Sequence, residues 1–290
     1  MSTASVKCEL EKYGLTPNRA LGQNFLASDT AARTIAEAAC ENRCPVIEIG
    51  PGMGALTAEL VKCAQRVAAI EIDRRMAEII ADRLPEVQLI NEDALKADIP
   101  GLIAALGGRA NIAANLPYYI TTPLCMRFLS LGADGSIPAM TLMMQKEAAE
   151  RFTAQVDAAA VYVNASTRFT ARPGDRVYGP LTVLAGYYYE VTKLMELSRD
   201  MYYPQPDVDS VVLKLTAKGA EKLFELEWLL NRAFAMRRKT LSNNLRAAGI
   251  SDERLKSLLG ACGIEGNIRA EKLTVAQFAN IAREIEAHGK

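Results

Sequence analysis

The chain has 290 residues, of which 50% are hydrophobic and 23% charged, ordinary for a soluble globular protein and long enough for about two domains. Its 34 basic and 34 acidic side chains cancel, so no global charge draws it to nucleic acid or membrane, and any such attraction must be local. The only histidine, His288, stands near the end, which excludes histidine-dependent triads and ordinary histidine-ligated metal centres; no metal is expected. No apolar run approaches the roughly 18 residues of a membrane span. The first 13 residues carry charges and no apolar core, so a signal peptide is not expected either, and the protein should be cytoplasmic. Cysteines at 8, 40, 44, 63, 125 and 262 form no C-x-x-C pair and read as scattered free thiols.

In chain order, Gly22-Gln23-Asn24-Phe25-Leu26 precedes an alanine-rich helical stretch from Ser28 to about Ala39. Pro45 to Ile49 reads as a strand that runs into Gly50-Pro51-Gly52-Met53-Gly54, and Thr57 to Gln65 as the helix that follows. Strand, glycine loop and helix open a nucleotide-binding βαβ unit: glycines let the backbone approach a ligand, and the helix N-terminus favours its negative end. The next strand, Val67 to Ile72, carries Glu71 near its end, where a carboxylate can accept from both hydroxyls of a ribose. A further strand, Val87 to Ile90, leads to Asn91-Glu92-Asp93, and Asp93 can accept from an adenine amine. The spacing Glu48-x-Gly50-x-Gly52-x-Gly54 differs from the dinucleotide fingerprint by one residue.

The apolar run Ala110 to Ala114 reads as a buried strand ending in Asn115-Leu116-Pro117-Tyr118. At such a strand end this tetrapeptide suits a flat, amine-bearing base. The Asn115 amide accepts from an exocyclic N–H and donates to a ring nitrogen. Pro117 biases Leu116 to an extended shape that turns its carbonyl toward the same amine, and Tyr118 offers a ring for stacking. A strand followed by an ordinary proline turn is the alternative for the tetrapeptide alone. Beyond a last strand after Asp209, the chain turns helical from Glu221 onward. Arg232, Arg237, Arg238, Lys239 and Arg246 fall between Trp228 and Ser251, where no acid occurs, a candidate phosphate-binding face or else a solvated helix face.

The glycine-loop spacing resembles the first motif of S-adenosylmethionine-dependent methyltransferases, and Asn-Leu-Pro-Tyr resembles that of the adenine-N6 enzymes among them. Adding Gly22 to Leu26, Gln145-Lys146-Glu147, Tyr203 to Ser210 and Arg237 to Leu245, the chain resembles over nearly its whole length the ribosomal RNA adenine dimethyltransferases of the KsgA (RsmA) family. The resemblance implies S-adenosylmethionine as cofactor and, as substrate, two adjacent adenosines of the 3′-terminal hairpin loop of 16S rRNA in the small ribosomal subunit. No DNA, no membrane and a monomer are expected. It implies that Asn24, Leu26, Gly50 and Gly52 surround the cofactor's amino-acid part, that Glu71 meets its ribose and Asp93 its adenine. Asn115 would lie between cofactor and base, with Leu116 and Tyr118 completing the catalytic element. Tyr202 would bracket the base, and Arg237, Arg238, Lys239, Asn243, Asn244 and Arg246 would bind RNA. The expected fold is a mostly parallel, doubly wound Rossmann-like α/β methyltransferase domain over residues 1–217 and a small all-helical rRNA-binding domain over 218–290. A 23S rRNA methyltransferase, a DNA adenine methyltransferase and a non-catalytic ribosome-assembly factor are the rival readings.

Three departures from the family pattern stand out. Tyr119 replaces the usual asparagine, with little effect expected. Pro180 replaces a common arginine, which could remove an RNA or structural contact. Arg-Phe-Thr-Ala occurs at 151–154 and again at 168–171, so residues 155–170 read as an inserted surface segment.

Overall fold

The computed structural model describes residues 2–117, 119–152, 174 and 176–290. The expected stacking residue Tyr118 and the expected insertion at 155–170 lie outside the described residues. The chain forms two compact units: residues 1–149 with 192–217, and residues 150–191 with 218–290. The passages between the units fall at 149–150, 191–192 and 217–218.

The strands are β1 (Phe25–Leu26), β2 (Val46–Ile49), β3 (Val67–Ile70), β4 (Gln88–Ile90), β5 (Asn111–Asn115), β6 (Ala139–Gln145), β7 (Tyr189–Leu197), β8 (Tyr202–Tyr203) and β9 (Ser210–Ala217). The main sheet runs β4-β3-β2-β5-β6-β9-β7. Its β4 to β6 portion is parallel and β9 pairs antiparallel with β6, so the sheet is mixed, with the expected parallel part at its heart. β2 to β5 are close to their expected bounds because short apolar runs bounded by glycine or acid leave little choice. The strand order reverses between β2 and β5, the kind of switch point at which open α/β sheets bind ligands.

Helices of the first unit are α1 (Thr3–Lys12), α2 (Asp29–Cys40), α3 (Thr57–Cys63), α4 (Arg74–Arg83), α5 (Ile99–Ala105), α6 (Thr121–Leu131) and α7 (Lys146–Glu150), whose last residue begins the second unit. Ser28 caps α2 by accepting from the Ala31 N–H, and Ala31, Ala32, Ile35, Ala36 and Ala39 bury one face of it. Ile35, Leu60 and Ile80 from α2, α3 and α4 are fully buried in one cluster with Val46 and Ala113 of the sheet. Each such side chain contributes about 1.5–3 kcal/mol by leaving water.

Two expectations change here. Cys40 and Cys63, expected as free thiols, are paired as a disulfide with Cα atoms 5.9 Å apart. They end α2 and α3, which pack side by side; sequence spacing carries no sign of that. Tyr202, expected to bracket a base, is 1% exposed and packs in the same cluster. It pairs with Leu26 in the antiparallel β1–β8 ribbon, and strand alternation turns it inward.

The second unit holds α8 (Pro180–Tyr188), α9 (Leu226–Ala233), α10 (Leu241–Ala247), α11 (Asp252–Ala261) and α12 (Val275–His288). Pro180 opens α8, where a fixed φ and a missing N–H fit the first turn. Tyr178 donates to the Leu273 carbonyl at 2.7 Å, and its ring, Phe234 and Phe278 form the aromatic centre of this unit. Among the described residues no helix is long and apolar enough to cross a membrane.

Candidate active site

The C-terminal ends of β2, β3 and β5, the turn after β4 and the loop before β1 line one pocket of about 1020 Å³, its open mouth included. Asn24, Leu26, Gly50, Gly52, Glu71, Asp93, Asn115 and Leu116 all line it, so every described residue expected at the cofactor and the catalytic element meets here.

The glycine loop is shaped by its neighbours. Gly52 has φ +55°, and a Cβ there would lie 2.9 Å from the Phe25 ring, so only glycine fits between β1 and the pocket. The Gly52 N–H donates to Glu71 Oε2 at 3.0 Å, and the Asp73 N–H to Glu71 Oε1 at 2.8 Å. Glu71 is thus held by two backbone donors, and a carboxylate keeps further lone pairs for hydroxyl donors. Burial raises its pKa, against the pull of those hydrogen bonds. Beside it Glu48 is 2% exposed and pushed up to about 8, chiefly by burial, with Glu71 adding repulsion and Thr57 opposing. Its Oε2 is buried without a hydrogen-bond partner among the described residues. A buried carboxyl oxygen lining a pocket beside glycine backbone fits a ligand that brings its own polar groups.

On the other wall, Gln23 Nε2 donates to Asp73 Oδ2 at 2.9 Å, tying the 22–24 loop to the cap of α4. The Arg75 guanidinium beside Asp73 holds that carboxyl below its ordinary range. Asn115 Nδ2 donates to the Asn24 carbonyl at 3.0 Å, which fixes the amide plane and leaves its oxygen as the acceptor. Leu116 donates its N–H to the Met143 carbonyl at 2.9 Å. Asp93 Oδ1 accepts from the Leu95 N–H at 2.9 Å, anchoring the turn that presents it.

Sequence reading missed Ile72, Tyr119 and the pocket role of Glu48. Ile72 follows the strand-end acid and stays 47% exposed while lining the pocket. An apolar residue directly after that acid was the available signal.

In the second unit, Arg237, Arg238, Lys239, Asn243 and Arg246 are exposed. Arg246 is engaged by Asp252 and by Asn243 Oδ1. Asn244, expected to meet RNA, is 2% exposed. Its oxygen accepts from the Met236 N–H at 2.9 Å, and its Nδ2 donates to the Met236 and Thr240 carbonyls at 3.2 and 3.3 Å. Both ends of the amide are spent on holding the basic loop, so it supports that loop from inside rather than touching a ligand.

A sheet parallel from β4 to β6, with a glycine loop at its switch point and an acid just past the next strand, defines a nucleoside-cofactor α/β enzyme. The family model for ribosomal RNA adenine dimethylase matches residues 14–163 and 161–287, and the chain belongs to that family. It is an S-adenosylmethionine-dependent rRNA adenine dimethyltransferase, as the resemblance implied. The two matched segments overlap at 161–163, inside the expected insertion. Relatives called ribosomal RNA small subunit methyltransferase A are 37% identical in Shouchella clausii, over 94% of this chain and 91% of theirs. Another in Ligilactobacillus salivarius is 38% identical over 94% and 91%. In fold, the chain is similar to a dimethyladenosine transferase from Plasmodium falciparum, with TM-score 0.67 and 24% identity over 91% of this chain and 98% of that one. It is also similar to the 23S rRNA methyltransferase ErmE, with TM-score 0.58 and 23% identity over 90% and 99%.

Proposed function

We propose that this chain, as a cytoplasmic monomer, dimethylates N6 of two adjacent adenosines in the 3′-terminal hairpin loop of small-subunit 16S rRNA. The observation that carries the reading is the Asn115 amide, held by the Asn24 carbonyl at 3.0 Å with its oxygen left to accept inside the pocket. S-adenosylmethionine supplies a methyl group already activated by its sulfonium, so the protein's task is alignment. Asn24, Leu26, Gly50 and Gly52 would hold its amino-acid part, Glu71 its ribose hydroxyls, Asp93 its adenine amine and Ile72 one face of the adenine. Adenine N6 is a poor nucleophile because its lone pair is delocalised into the ring. The Asn115 oxygen and the Leu116 carbonyl would accept hydrogen bonds from its two N–H groups and favour a pyramidal nitrogen aimed at the methyl. The base must leave its stack to reach them, and Tyr118 would receive its face. The first unit would carry this chemistry, and the helical region 218–290 would bind rRNA through Arg237, Arg238 and Lys239.

Small subunits from a strain lacking the enzyme, incubated with methyl-labelled cofactor, should gain N6,N6-dimethyladenosine at two neighbouring positions. Label entering only large subunits would sink this substrate and favour the 23S reading.

A further inference from the structure

Tyr119 stands where the family usually has asparagine, and no role follows for it from the sequence. It is 55% exposed, yet it lines the pocket. Its ring edge lies 3.4 and 3.6 Å from where a Cβ on Gly22 would stand, so the ring rests on the Gly22 backbone. Gly22 has φ +61°, where any side chain is strained, and a Cβ there would stand in ordinary van der Waals contact with the ring. At its other end the phenol feels Asp93 and Glu71: burial first, then these two carboxylates, raises its pKa. The hydroxyl is therefore within Coulomb reach of both acids. The ring thus lies against the loop before β1, in a pocket whose lining also includes Glu71, Ile72 and Asp93.

We propose that the Tyr119 ring is the outer wall of the nucleoside half of this pocket, packing on the ribose and adenine of the bound cofactor and slowing its escape. An asparagine at this place offers no such surface. The proposal rests on the pocket being the cofactor site, and the phenol hydroxyl is secondary to the ring, since packing on a nucleoside uses the aromatic face.

Calorimetry with S-adenosylmethionine and with 5′-methylthioadenosine, which lacks the amino-acid part, tests it on the full chain. Tyr119→Ala and Tyr119→Asn should weaken both ligands by a similar factor, on the order of tenfold, the scale of removing one aromatic ring from beneath a base. Tyr119→Phe should bind both nearly as the parent does. Cofactor off-rates measured by stopped flow should rise in the Ala and Asn variants. Glu71→Ala is the control for the pocket: if it leaves cofactor affinity unchanged, the pocket assignment itself fails. If Glu71→Ala weakens binding while Tyr119→Ala does not, the pocket stands and the proposal is overturned. A loss confined to S-adenosylmethionine would overturn it by placing the ring over the amino-acid half. Unchanged cofactor binding with diminished RNA methylation would overturn it by placing the ring on the side of the base.

Discussion

Glu48 and Asn115 stand on neighbouring strands and answer to different measurements. Glu48 holds a proton up to a pH of about 8, against an ordinary value of 4.5, because burial penalises its charge. Between those values the folded chain keeps a proton that the unfolded chain has released, so stability falls as pH rises through that window and levels off above it. Glu71, raised for the same leading reason, adds a slope of the same sign. Glu48→Gln should therefore make the melting temperature less dependent on pH across the window without abolishing the trend; identical profiles for variant and parent would contradict this. Asn115→Ala should lose methyl transfer by on the order of 10²-fold or more and weaken cofactor binding far less, because the missing oxygen would orient N6. Near-normal single-turnover rates would remove Asn115 from the mechanism. Glu71, Asp93 and Asn115 were legible because each lies at or just beyond the C-terminal end of a strand. Tyr202 and Asn244 were not: both look polar and available in sequence, and only strand pairing and the hydrogen bonds of a folded loop show them turned inward.

Among elements, the glycine loop and the acid-ended strand could be read directly, since φ-permissive residues between an apolar run and a helix allow few alternatives. β6 and β7 were not read as strands: β6 is an almost fully buried run without alternation, and β7 alternates only weakly. The Cys40–Cys63 link was hidden for another reason, since only the packing of α2 against α3 brings the two helix ends together. In the second unit the instructive element is the loop from Met236 to Thr240, pinned at both ends by Asn244. Asn244→Ala removes three hydrogen bonds from a buried site and should cost about 1–3 kcal/mol of stability. It should also weaken RNA binding by loosening Arg237, Arg238 and Lys239, with cofactor affinity unchanged. A variant that loses stability yet keeps the parent's RNA affinity and salt dependence would confine Asn244 to holding the fold.

For the molecule as a whole, a net charge of zero means that RNA binding must be concentrated in a few side chains. Changing Arg237, Arg238 and Lys239 together to Ala should flatten the salt dependence of RNA binding by about 0.7–0.9 in log–log slope for each phosphate no longer neutralised. The effect should be the same for any RNA that fits, because side chains on phosphates position a substrate and do not read its bases. An unchanged slope in filter-binding titrations would make the basic run a solvated helix face. Within the first unit, the hydrogen bond from Asn115 to the Asn24 carbonyl has a wider consequence. It joins the side chain that would grip the base to the loop that would grip the cofactor, so each ligand would stiffen the seat of the other. Whatever factor one occupant adds to the affinity of its neighbour must be returned in full. An adenosine held between successive methylations would then delay the exchange of spent cofactor for fresh, and the tempo of repeated transfer would be set by reciprocity across a single amide.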